Sequence, residues 1–232
     1  MISEREFACE FTSFWKTIIP LGDVFVKQLN LCCDRFSPPI ASSLSGQEER
    51  AVINELSFRL FKGEALGILD ETNRINIAKD VIRYISNISS SPSKLSSDDM
   101  SVIIAEADNL SKALSSYLQG EDFKSIIFNP VFAGCGRVDI CQGDMFYKNK
   151  LVEIKAGGRN FRLLDIKQVI TYLTLNFSSK QYDIQHVAFV NPRQGLAFEM
   201  SVAGLIESCS GRKPVDIFLE IIDFISFDQN SK

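Results

Sequence analysis

Residues 136–157 read Gly136-Arg137-Val138-Asp139-Ile140-Cys141-Gln142-Gly143-Asp144-Met145-Phe146-Tyr147-Lys148-Asn149-Lys150-Leu151-Val152-Glu153-Ile154-Lys155-Ala156-Gly157. Two runs of strand character stand out: Arg137 to Tyr147, interrupted at Gly143-Asp144, and Leu151 to Ala156, closed by Gly157-Gly158. In the second run, period-two alternation points Glu153 and Lys155 to one side. Val152, Ile154 and Ala156 point to the other, which can be core. An acid-x-Lys triplet also occurs at Asp122-Phe123-Lys124 and at Asp165-Ile166-Lys167. The first of these precedes its strand, and the second lies on a helical pattern, where residues two apart do not share a face.

Outward from this stretch, Ser125 to Phe132 supplies a further strand, so the three runs predict a curled antiparallel meander. Ahead of it, Ser97 followed by Asp98 and Asp99 starts a helix, with Met100, Ile103, Ile104, Ala107, Leu110, Leu114 and Tyr117 on one stripe and Gly120 at its end. Behind it come a helix over Asp165 to Phe177, strands over His186 to Asn191 and Gly195 to Met200, and a closing helix over Pro214 to Ile225. That order predicts an α/β core. The first ninety residues read as helices over Phe7 to Ile18, Asp23 to Cys33, Gln47 to Phe61 and Ile75 to Ile85, with no chemical motif among them. The Ser-rich segment Ser89 to Ser97, with Pro92 inside it, marks a linker, dividing a helical extension (1–90) from a core (91–232).

Asp139 lies between Val138 and Ile140 in the strand before Glu153. If the two strands pair, the carboxylates of Asp139 and Glu153 adjoin and repel, and burial worsens the repulsion, so the pair calls for a bound cation. Oxygen ligands favour Mg²⁺ or Mn²⁺. Lys155 would then orient an attacking water and offset charge growing on a phosphate. Glu153 and Lys155 by themselves have a plainer account, a same-face ion pair on an edge strand worth about 0–1 kcal/mol.

Gly136 to Asp139 followed by Leu151 to Gly157 resembles the core of the PD-(D/E)XK nuclease superfamily, and Gln168-Val169-Ile170-Thr171-Tyr172 is similar to the QxxxY element of its RecB-like branch. Four-residue spacing puts Gln168 and Tyr172 on one helical face. The resemblance spans roughly residues 98–200, without the proline that the family name places before the first acid. It implies a restriction-endonuclease-like core, a mixed sheet flanked by helices, that hydrolyses phosphodiester bonds in DNA with Mg²⁺ or Mn²⁺. It implies Asp139 and Glu153 as metal ligands with the Ile154 carbonyl, Lys155 at the attacking water, and Gln168 and Tyr172 beside the site. It also implies an acid on the helix before the first strand, for which Glu106 is the choice, with Glu121 and Asp108 as alternatives. A role in restriction or defence against foreign DNA follows by analogy alone. The rival expectation is a non-catalytic, nuclease-like DNA-binding or assembly subunit, with residues 1–90 as a surface for a protein partner.

Composition narrows the choices. At 232 residues, 45% hydrophobic and 23% charged, the chain can bury a sizeable core. No run approaches the roughly 20 apolar residues of a membrane span, and Glu4, Glu6 and Glu10 interrupt any leader pattern, so no membrane partner and a cytoplasmic location are expected. Six cysteines without a CxxC pair, and one histidine, His186, argue against zinc and for reduced thiols. A net charge of -4 argues against a bulk electrostatic grip on nucleic acid. Yet Lys148 to Lys180 holds seven basic residues against two acids, and Arg159, Arg162 and Lys167 within it are candidates for DNA phosphate contacts.

Overall fold

The computed structural model describes residues 1–42, 44, 46–89 and 97–227. The helices among them are α1 (Glu4–Glu10), α2 (Thr12–Ile18), α3 (Gly22–Leu31), α4 (Gln47–Ala65), α5 (Glu71–Ser89), α6 (Ser97–Tyr117), α7 (Leu163–Ser179), α8 (Val202–Ser210) and α9 (Pro214–Ser226). The strands are β1 (Asp34–Arg35), β2 (Ile127–Phe128), β3 (Val131–Phe132), β4 (Cys141–Gln142), β5 (Met145–Tyr147), β6 (Lys150–Ile154), β7 (His186–Asn191) and β8 (Leu196–Ser201). The linker expected over Ser89 to Ser97 falls mostly on 90–96, outside the described residues.

Strands β1, β8, β7, β6, β5 and β2 lie in that order in one mixed sheet, and β3 pairs separately with β4. Parallel pairing joins β6 to β7, connected through α7, and the other pairs are antiparallel. The chain is thus an α/β fold, as its alternating patterns imply. The expected meander is present but divided: Asn129-Pro130 separates β2 from β3, and Gly143-Asp144 separates β4 from β5. A proline has no N–H to give a ladder, and the left-handed φ of Asn129 (53°) turns the chain out of the sheet.

Alternation along the central strands gives the sheet two apolar faces. Leu151, Val187 and Phe189 pack with Ile166, Ile170 and Leu173 of α7 and with Phe7, Trp15, Ile18, Phe25 and Leu29 of α1 to α3. Val152, Ala188 and Val190 pack with Phe61 of α4 and with Leu114 and Leu118 at the end of α6. Helices therefore cover both faces. The N-terminal helices belong to this core rather than forming an extension apart from it: Trp15 and Phe7 are fully buried, and β1 completes the sheet edge against β8. No helix among the described residues is long and apolar enough to cross a membrane.

Candidate active site

The register of one hairpin assembles the site. Lys148 and Asn149 both hold positive φ, 46° and 59°, as the two-residue turn that best matches strand twist requires. Tyr147 consequently faces Lys150, Phe146 faces Leu151 and Met145 faces Val152. One more step along β5 and β6 sets Asp144 across from Glu153. The Asp144 carboxylate accepts the Ile154 N–H at 2.6 Å. Glu153 Oε1 accepts from Lys155 Nζ at 2.5 Å, and the same ammonium donates to Gln168 Oε1 at 3.0 Å. Gln168 Nε2 in turn donates to the Tyr172 hydroxyl at 2.8 Å and to Glu4 Oε1 at 3.2 Å. Glu153, Lys155, Gln168 and Tyr172 thus come together as the sequence spacing anticipates.

Asp139 does not join them: the acid adjoining Glu153 is Asp144. The backbone of residues 137–139 pairs with the N-terminal chain instead of with β6, Ile2 N–H donating to Arg137 O and Asp139 N–H to Ile2 O. The Asp139 carboxylate accepts its neighbour's N–H, that of Ile140, at 2.8 Å. Gly136 has a packing role here, since at φ 56° a Cβ would sit 2.2 Å from the Ile225 carbonyl oxygen.

Glu106 is also displaced from its expected role. It is buried, accepts from Arg193 Nη1 at 2.6 Å and from Ser42 Oγ at 3.3 Å, and serves as an internal ion pair. Its two alternatives are engaged too, Asp108 by Arg74 and Glu121 by Lys148. Among the helical acids that do face the site are Glu55 of α4 and Asp165 of α7, which line its cavity, and Glu4 of α1, which accepts from Gln168. Of the basic candidates, Arg159 makes a two-pronged contact with Asp165 at 2.7 and 2.8 Å while lining the site cavity. Arg162 is exposed just before α7. Lys167 is buried with its ammonium 5.7 Å from the Trp15 ring, which removes it from any DNA-facing surface.

The electrostatics are those of an acidic pair forced into a dry place. Burial raises the Asp144 carboxyl above its ordinary range, with Glu55 adding to the rise and Lys155 opposing it. Burial likewise pushes Glu153 up to about 8, and the charge of Asp144 contributes. For Lys155 burial acts downward, but Glu153 and Asp144 outweigh it and hold the ammonium above its usual value. Asp165 stays below the carboxylate range because Arg159 and Lys155 overcome its desolvation. Burial, then Glu153 and Glu4, raise the Tyr172 phenol, so it remains a neutral donor or acceptor.

A cavity of about 410 Å³ opens over this cluster at the end of β6. Asp144, Ile154, Lys155 and Gln168 form its floor, while Arg5, Asn54, Glu55 and Phe58 bring walls from α1 and α4. The residues missed in the sequence are Asp144, Glu4 and Glu55. Counting register back from the Lys148-Asn149 turn would have found Asp144; Glu4 and Glu55 come from helices remote in sequence and leave no local signal.

Among the described residues, no group of three or more His, Cys, Asp and Glu side chains is placed to hold a metal. Asp144 and Glu153 are a pair, and Glu153 Oε2 is buried without a hydrogen-bond partner. An orphaned carboxylate oxygen beside a second acid suits a hard cation that takes one or two protein carboxylates and keeps its waters, as Mg²⁺ does. Comparison with protein-family models, with curated proteins and with solved structures finds no match to this chain.

Proposed function

We propose that the chain is a Mg²⁺-dependent nuclease that hydrolyses phosphodiester bonds in DNA, with Asp144, Glu153 and Lys155 as its reacting set. The observation that carries the reading is the Asp144/Glu153 pair: Glu153 is buried with one oxygen unpartnered and the other 2.5 Å from the Lys155 ammonium, and Asp144, half-buried, lines the polar cavity. The resemblance of Glu153-Ile154-Lys155 and of Gln168 to Tyr172 to the PD-(D/E)XK nucleases supports it. Asp144 and Glu153 would hold the ion, with the Ile154 carbonyl as a further oxygen. A bound divalent cation would supply charge stabilisation at the phosphate and a more acidic water.

The protein's own groups do the rest. Lys155, kept protonated by its acidic neighbours, orients the attacking water and opposes negative charge on the phosphate oxygens. Gln168, held from behind by Tyr172 and Glu4, fixes the ammonium's position. Arg159 and Arg5 at the rim meet the flanking phosphates. A role in defence against foreign DNA is consistent with this chemistry.

The experiment is cleavage of linear, circular and single-stranded DNA with Mg²⁺ or Mn²⁺ by the wild-type chain and single variants. Asp144→Ala, Glu153→Ala and Lys155→Ala should each lose at least about a hundredfold in rate, given that one stabilising group is worth roughly 10²–10³. Asp139→Ala should keep most of it. Full activity in Asp144→Ala with loss in Asp139→Ala would reverse the assignment of the first acid. The absence of a third metal-binding side chain among the described residues favours the rival reading, a non-catalytic DNA-holding subunit. Metal-independent binding without cleavage would establish that rival.

A further inference from the structure

A second cavity, of about 530 Å³, adjoins the first, and Glu55, Phe58 and Asp144 line both. The two make one trough leading from the acidic pair outward along α4 and α5. Tyr84 of α5 projects into it 47% exposed, although an aromatic ring gains most from burial. Cationic groups alternate with the rings: the Arg59 guanidinium, whose Nε is paired with Glu55 at 2.7 Å and whose other nitrogens are left for a ligand, lies 5.3 Å from the Tyr84 ring centre, and Lys62 Nζ lies 5.9 Å from that of Phe128. Lys62 also donates to Asn129 Oδ1 at 3.0 Å, which steadies the ammonium at the wall. Ring faces interleaved with cations are the chemistry that takes a base and its phosphate together. The volume falls in the range of pockets for single small molecules, about 300–1,000 Å³, and so fits one nucleotide rather than a stack of base pairs.

We infer that this trough is a nucleotide subsite: the nucleotide next to the scissile phosphate leaves its stack, lays its base against Tyr84 and Phe58, and gives its outer phosphate to Lys62 and Arg59. The inference rests on the nuclease reading and adds to it the substrate class, a strand unpaired at the point of cutting. Helices α4 and α5, which carry no motif, thereby acquire a function.

The test is equilibrium binding of the full chain, in EDTA to prevent cleavage, to a short single-stranded DNA carrying 2-aminopurine and to the same sequence as a blunt duplex. Cleavage of both with Mg²⁺ is measured in parallel. The single strand should bind about tenfold tighter or more, with its fluorescence quenched by stacking. Tyr84→Ala and Lys62→Ala should each weaken single-strand binding roughly tenfold, the size of one lost base stack, and leave duplex binding nearly unchanged. Tyr84→Phe and Lys62→Arg should restore most of it, and unchanged helix content and thermal midpoint would show that the variants fold. Equal affinity for the two forms, or a folded Tyr84→Ala variant that binds single strands as wild type does, overturns the inference. Strand-selective binding by a chain that cuts nothing would sink the nuclease reading and spare the subsite; cleavage of duplex with Tyr84→Ala silent would do the reverse.

Discussion

Glu153 is the residue at which burial and charge conflict most, and the conflict predicts how stability depends on pH. Its carboxyl titrates near 4.5 in an unfolded chain and at about 8 in the folded one, chiefly through desolvation. Between those values the folded state binds the extra proton, so stability falls as pH rises from about 4.5 to about 8 and then levels off. Thermal midpoints measured across this window should decline in the wild type, and Glu153→Gln should flatten the decline and melt higher than wild type at pH 8. Mg²⁺ should act on the same group. At a hundred times its Kd, a ligand adds about 2.7 kcal/mol, which for a chain of this size raises the midpoint by roughly 5–11 °C. A rise of that size in wild type and none in Glu153→Gln or Asp144→Ala is the expected result; an equal rise in all three would remove the cation from this pair. Glu153 and Lys155 were legible in the sequence because strand alternation alone puts them on one side. Asp144 was hidden because Gly143-Asp144 reads as a break in a strand, and only the turn at Lys148-Asn149 turns that break into a partner for Glu153.

At the scale of elements, Arg193 in the turn after β7 ties two helices, α4 and α6, to the end of β6. Its Nε donates to the Ala156 carbonyl at 2.8 Å, its Nη1 to Glu106 of α6 at 2.6 Å and its Nη2 to Asn54 of α4 at 3.4 Å. Arg193 is 4% exposed, so removing its guanidinium would strip a countercharge from a buried carboxylate, a change that costs about 3–5 kcal/mol. Arg193→Ala should therefore lose about that much in urea denaturation. If the proposed nuclease activity holds, it should also cut more slowly than its stability predicts, because Ala156 follows Lys155 directly. A loss under 1 kcal/mol would show that the network is dispensable. The ion pair also explains why Glu106 misled: a helical acid bordering an apolar stripe looks the same in sequence whether it serves an internal arginine or a metal, and its partner lies 87 positions away. Long helices such as α6 and α7 were legible from their stripes. Strand β1, two residues long, was not, since it has no room for a period to repeat, and α8 was not because it begins directly after β8 with no break in the sequence to mark its start.

For the whole molecule, the question is whether residues before the linker are an appendage or part of the fold, and the sequence suggested an appendage because they carry helices and no motif. Packing answers otherwise. Phe7, Trp15 and Ile18 are at most 1% exposed, and Trp15 Nε1 donates to the Phe7 carbonyl at 2.9 Å within the core that covers α7. Burying three such side chains contributes on the order of 5–9 kcal/mol, comparable to the net stability of a whole domain, about 5–15 kcal/mol. Helix α1 also supplies Glu4 and Arg5, and α4 supplies Glu55, to the candidate site and its cavity, so the cleft is incomplete without them. Trp15 is the chain's one tryptophan, which makes the point measurable without altering the protein. Unfolding followed by its fluorescence reports the N-terminal helices, and far-UV circular dichroism reports all of the helices together. In one cooperative unit the two urea transitions share a midpoint and a slope. A separable extension would release Trp15 at lower urea, with the remaining helices melting later, and that split would show that the α/β core stands by itself.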